Sequence, residues 1–208
     1  GMNTLLLIAA FDNRAGHGLI GSRIGISAEA TAFDRAEDLY ALIAADPRFR
    51  HLTGLGWASL GVLELTALPT VGAERWVPWV READALLVDG GDATYLCHWM
   101  RESGLAELLP SLPDTVWVGV SAGSMVMAPR IGECFVEWPS APDDSGLGVV
   151  DFSIFPHLGA FPQNSPADAE RWAAGIGGPA YAIDEQTAIT VVDGRADVVS
   201  EGDWTRFG

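Results

Sequence analysis

Lysine is absent from this chain. All 12 basic residues are arginine, they face 28 Asp and Glu, and the formal net charge is −16. No Schiff-base lysine, phosphate-loop lysine or lysine general base can operate here. A protein this acidic repels polyanions and anionic lipid, so neither nucleic acid nor membrane is an expected partner. Cysteine is scarce. Cys97 and Cys134 can build neither a four-cysteine zinc site nor a disulfide framework, and they suit a reducing cytoplasm. The N-terminal apolar run from Leu5 to Ala10 has six residues and no basic flank, too short for a signal peptide or a membrane span. The expectation is a soluble cytoplasmic protein that needs no metal or cofactor. Gly1 reads as a purification remnant before the natural Met2.

What is present is apolar. Of 208 residues 49% are hydrophobic, with 8 Trp and 8 Phe, enough to bury a sizeable core in one domain over residues 2–208. Short apolar runs alternate with amphipathic stretches. Strands are expected at Thr4–Ala10, Leu60–Leu68, Ala83–Val88, Thr115–Val120 and Val149–Phe155. Helices are expected at Ala28–Ala45, Glu74–Arg81, Thr94–Leu109, Ser121–Ala128 and Ser165–Ala174, the last with Ser165 as N-cap and Pro166 in the first turn. From Tyr181 onward β-like runs are joined by turns at Asp193-Gly194 and Glu201-Gly202. Strands alternating with helices predict an α/β fold, a mostly parallel sheet with helices on both faces, closed by a C-terminal antiparallel hairpin. Active sites of such sheets lie beyond the carboxyl ends of the strands.

The strongest local signal is Gly119-Val120-Ser121-Ala122-Gly123, entered from an apolar strand and left by a helix. This is the context of a nucleophile elbow, which pushes one hydroxyl out over the sheet edge. The bland alternative is a small-residue turn for close packing. A serine nucleophile needs a base. Of four histidines, His17 lies in a glycine-rich segment, His51 in a polar loop and His98 in mid-helix. His157 follows the strand Val149–Phe155 and so stands at the same sheet edge as Ser121. An oxyanion hole would take the N–H of Ala122 and a second from the Asp89-Gly90-Gly91-Asp92 loop, with Gly91 the donor; an ordinary strand-to-helix turn is the competing reading there.

Gly90-Gly91-Asp92-Ala93-Thr94, Gly-Val-Ser121-Ala-Gly, Phe155-Pro156-His157 and Ala182-Ile183-Asp184-Glu185-Gln186-Thr187-Ala188 occur in this order. Together they resemble the aspartyl dipeptidase (peptidase E) and cyanophycinase family of serine peptidases. The resemblance implies a flavodoxin-like three-layer fold related to class I glutamine amidotransferases, with Ser in place of their Cys. It implies a Ser-His-Glu triad of Ser121, His157 and Glu185. It also implies a small, Asp-containing peptide substrate. Arg171 is the candidate anchor for its carboxylate, against a solvated helix-surface arginine. Glu137 is a stand-in for the dipeptidases' functional Asp, and Asp92 sits in a glycine loop that commonly reads Gly-Gly-Asn-Thr.

Two rivals stand beside this reading. An α/β-hydrolase esterase shares the chemistry, but its chain order is Ser, acid, His, and here Glu185 follows His157. A non-catalytic ligand-binding or partner-binding domain on an amidotransferase-like scaffold is the other. A homodimer is left open.

Overall fold

The computed structural model describes residues 4–9 and 59–208. The expected helix Ala28–Ala45, His17 and His51 lie outside the described residues. Chain contacts define two compact units, one holding the described residues up to 91 and residues 98–120, the other residues 92–97 and 121–208.

In the first unit, β1 (Thr4–Ala9), β2 (Ser59–Glu64), β3 (Ala85–Val88) and β4 (Val116–Gly119) form a parallel sheet in the order β2-β1-β3-β4. Leu86 and Val88 pair with Trp117 and Gly119. β3 is buried at all four positions, as its unbroken aliphatic run demands. Helix α1 (Ala73–Glu82) buries Trp76 and Val80, one turn apart. β2 is shorter than expected. Its run ends where Glu64 Oε1 accepts from Thr66 N at 3.0 Å and Thr66 Oγ1 at 2.8 Å, and Pro69 then opens the 3₁₀ turn Leu68–Thr70. The long helix expected over Thr94–Leu109 is broken at Gly104, whose φ is 82°, into α2 (Ala93–Glu102) and α3 (Leu105–Leu108).

The second unit carries the short helix α4 (Ala122–Met125) and β5 (Ser153–Phe155). Helix α5 (Pro166–Ile176) and strands β6 (Ala180–Ile183), β7 (Thr187–Val192), β8 (Arg195–Ser200) and β9 (Trp204–Phe207) complete it. β5 and β6 are parallel, β9 joins β6 antiparallel, and β7 with β8 makes the expected hairpin. Its turn, Asp193-Gly194, has φ of 51° and 74°, the paired left-handed geometry that Asp-Gly favours. Ser165 caps α5 in a complete capping box with Asp168, and Pro166 opens the first turn, as expected. The Ser165 hydroxyl is the main reason that the Asp168 carboxyl titrates below its ordinary range.

The core of this unit gathers Phe155, Ala169, Trp172, Ala173, Ile176, Ala180 and Ala182. Phe155 meets Phe135 and Trp172 edge to face, at ring separations of 5.3 and 5.5 Å. Trp172 donates its indole N–H to Ile131 O at 2.9 Å. Gly132 lies beneath it at φ 98°, and a Cβ there would stand 2.2 Å from Trp172 Nε1. Gly132→Ala therefore combines a backbone conformation closed to L-residues with an indole collision. We expect a stability loss of at least about 2 kcal/mol, checked by urea unfolding.

Two expected elements are shorter for one shared reason. The helix after Ser121 stops at Met125, not Ala128, and the strand before Phe155 begins at Ser153, not Val149. Leu147 N donates to Val126 O, Gly148 N to Ala128 O, and Val149 N and Val150 N to Met127 O. Residues 126–128 and 147–150 thus bond each other in place of a helix ladder and a sheet ladder.

Candidate active site

The elbow is present as its sequence requires. The ladder runs to the threshold of the serine, with Val120 N donating to Val88 O at 2.8 Å. Ser121 then takes φ 53°, ψ −118°, a conformation rare outside glycine. Its carbonyl accepts from Ser124 N, Met125 N and the Ser124 hydroxyl at 2.9, 3.0 and 2.6 Å. The Ser124 hydroxyl is thereby engaged in the turn. The Ser121 side chain makes no capping bond, which leaves its hydroxyl available for chemistry. α4 is a single turn, so any oxyanion stabilisation at its start comes from individual N–H groups such as that of buried Ala122, not from a long helix dipole.

α4 packs against β5, and β5 leads through Pro156 into His157. His157 also has a left-handed backbone, φ 60°. The loop that holds it is clamped from within. Buried Asn164 donates its side-chain N–H to Pro156 O at 3.0 Å, Gly159 N donates to Asn164 O at 2.7 Å, and Leu158 N donates to Ile183 O at 2.9 Å. The imidazole is 15% exposed and edges the ring of Phe161 at 5.6 Å. Its Nδ1 lies 2.5 Å from Glu185 Oε1. Its Nε2 is buried and has no hydrogen-bond partner. One ring nitrogen is held by a carboxylate; the other meets no partner among the described residues, so Ser121 Oγ and His157 Nε2 are not hydrogen-bonded to each other here.

Glu185 follows β6 on the turn into β7. The adjacent Asp184 is the anchor of that turn. Its Oδ1 accepts from Gln186 N at 3.0 Å and Thr187 Oγ1 at 2.7 Å, and its Oδ2 accepts from Asp203 N at 2.6 Å. These donors, Asp203 N foremost, hold the Asp184 carboxyl below its ordinary range. Sequence reading passed over Asp184 and Asn164. An Asp two and three residues ahead of a turn's N–H and hydroxyl is the available signal for the first; nothing local marks the second.

The remaining candidates are dispersed. Asp92 is the N-cap of α2: its Oδ1 accepts from Tyr95 N at 2.9 Å and the Thr94 hydroxyl at 2.5 Å. Arg171 lies on the exposed side of α5 with its guanidinium bound to Asp168. Glu137 is exposed, beside Trp138, whose ring edges Tyr95 at 5.5 Å. Gly91 belongs to the first unit and has φ 139°. His98 meets Trp99 edge to face in α2, at a ring separation of 5.2 Å. Partial burial pushes the Cys134 thiol titration upward, away from the thiolate a nucleophile needs.

Comparison with known proteins supplies the family and the fold. The profile of peptidase family S51 matches residues 48–199. The chain belongs to that family. A protein assigned as a peptidase E from Listeria monocytogenes EGD-e shares the fold, with TM-score 0.65 and 17% identity over 97% of this chain and 89% of that one. An uncharacterized peptidase of Pasteurella multocida is 29% identical over 86 residues, 38% of this chain and 42% of the relative. A 43-residue stretch is 60% identical to the thymidine kinase of Rhizobium etli, covering 21% of this chain. The chain spans about a fifth, 22%, of that kinase's length.

Proposed function

We propose that this peptidase hydrolyses small peptides through an acyl-enzyme on Ser121. His157 Nε2 takes the Ser121 hydroxyl proton as Oγ attacks the scissile carbonyl carbon. The oxyanion is met by the N–H of Ala122. As the C–N bond breaks, Nε2 returns the proton to the leaving amine. Water then repeats the sequence, releasing the acid and restoring the serine. Glu185 holds Nδ1–H throughout and offsets the imidazolium charge. The observation that supports this reading best is the imidazole orientation, with Nδ1 at 2.5 Å from Glu185 Oε1.

The substrate reading is an Asp-containing dipeptide or short peptide. Glu137 is the rim group that grips a substrate amino terminus. Arg171 reaches a substrate carboxylate only by exchanging Asp168 for it. Asp92 acts through the loop it caps and not by direct contact. The working compartment is the cytoplasm, in keeping with two free cysteines, and no described helix is long and apolar enough to cross a membrane. The kinase-like stretch does not support phosphoryl transfer through a lysine-bearing phosphate loop, since the chain has no lysine.

The test is hydrolysis of a dipeptide library with varied first residue, alongside labelling by a fluorophosphonate. Asp-X peptides are expected to be cleaved fastest, with the label on Ser121. A chain that takes no label and cleaves nothing would favour the binding-domain reading. Cleavage without preference for Asp would leave the peptidase and remove the acidic substrate.

A further inference from the structure

We infer that Asp184 is the positioning residue that sets the Glu185 carboxylate against His157, an inference that rests on the reading of His157 and Glu185 as base and orienting acid. Glu185 needs such a device. Its side chain is 60% exposed, on the turn between β6 and β7, and an exposed glutamate keeps within reach of one partner only where its Cα is held in place. Its carboxylate bonds His157 Nδ1. The fixing lies one residue earlier.

The Asp184 carboxylate ties the turn on both sides. Oδ1 gathers Gln186 N and Thr187 Oγ1, so the backbone closes around Glu185 itself. Oδ2 takes Asp203 N, and Asp184 N donates back to Asp203 O at 3.2 Å, which ties the same turn to the segment entering β9. Thr187 Oγ1 also meets Ser200 Oγ at 2.7 Å, Ser200 Oγ accepts from Gly202 N at 3.0 Å, and Glu201 N donates to Gln186 O at 3.1 Å. The residues on either side of Glu185 are thus bonded to the 200–203 turn, with the Asp184 carboxylate at the centre. Gly202 leaves the room this needs. A Cβ there would stand 2.1 Å from Asp184 Oδ2 and 2.7 Å from its Cγ. Asp184 acts on His157 only through Glu185.

The experiment compares the full chain with Asp184→Ala, Asp184→Asn and Gly202→Ala, by steady-state kinetics on a cleaved dipeptide and by proton NMR of the His157 Nδ1–H. In the wild type this proton is expected far downfield, as a short bond to a carboxylate requires. Asp184→Ala should lower kcat about 10²-fold, the cost of a misplaced catalytic group, with KM nearly unchanged. The downfield resonance should be lost while circular dichroism stays native. Asp184→Asn keeps one acceptor oxygen and should recover part of both signals. Gly202→Ala pushes the carboxylate aside without removing it and should reproduce the kcat loss. It also decides the matter by the same readouts if Asp184→Ala does not fold. Wild-type kcat with the resonance intact overturns the inference, and so does a kcat loss with the resonance intact. If Ser121→Ala retains full turnover, the acyl-enzyme reading fails. The resonance in the Asp184 variants still reports whether the imidazole is held.

Discussion

Ser121→Ala is expected to lower kcat roughly 10⁶-fold, as removal of the nucleophile does in serine proteases. The size of the loss follows from the elbow. The Ser121 side chain caps nothing and its carbonyl alone secures the turn, so the substitution deletes the attacking atom and little else. Alanine meets the same backbone penalty at φ 53° as serine, so thermal unfolding should scarcely move. Loss of rate without loss of stability separates a catalytic hydroxyl from a packing one. The measurement is kcat and KM on a peptide that the wild type cleaves, with an unfolding curve for each protein. Residual turnover about 10³–10⁴ above the uncatalysed reaction would still reflect the oxyanion donors and substrate binding. Full turnover in the alanine variant would remove Ser121 from the mechanism and leave the elbow as a packing turn.

The second large effect belongs to Glu185. Glu185→Gln should reduce kcat on the order of 10⁴-fold with KM little changed, the cost of losing the orienting acid in a serine protease. Glutamine is nearly isosteric with glutamate, so the loss is electronic. An amide N–H facing Nδ1 forces the proton onto Nε2, where a base must be empty, and no carboxylate offsets the imidazolium. Exposure does not argue against so large an effect, because the Oε1 contact is made on the half-buried face of His157, whose imidazole is 15% exposed. Glu137→Gln should act differently. That side chain is exposed and without a recorded ion pair, and its loss should fall on KM. Kinetics of the two variants side by side give the answer. A collapse of kcat in Glu137→Gln with a nearly silent Glu185→Gln would reverse the roles.

The sheet-forming runs and the second unit's main helix were legible because their signals are local. The aliphatic run of β3 could only be a buried strand, and Ser165-Pro166 with Asp168 spells a helix start in four residues. The positions of Ser121 and His157 were legible for a related reason: both follow directly from a strand, and the chain must turn there. What the sequence hid is non-local. Val126–Ala128 and Leu147–Val150 have good helix and strand character, yet each supplies the other's hydrogen bonds, and no window of either contains its partner. The role of Asp184 depends on Asp203, nineteen residues later, and the clamp at Asn164 depends on a carbonyl eight residues earlier. Arg171 had a plausible functional reading from charge alone, but its nearest carboxylate, Asp168, is three residues away on the same helix and takes the guanidinium.

Ser121 and His157 share a backbone habit that has a consequence for the protein's history. Both hold left-handed φ values, 53° and 60°, where glycine is the more comfortable occupant. Each such residue costs about 1–3 kcal/mol, against a net stability of about 5–15 kcal/mol for an ordinary domain. On the proposed mechanism, glycine at either position would remove a reacting group while relieving that strain. On that reading, selection for stability alone would pull the chain away from activity at both positions. The edge-to-face packing of Phe155 and Trp172 and the clamp at Asn164 are contacts of the kind that offset such strain.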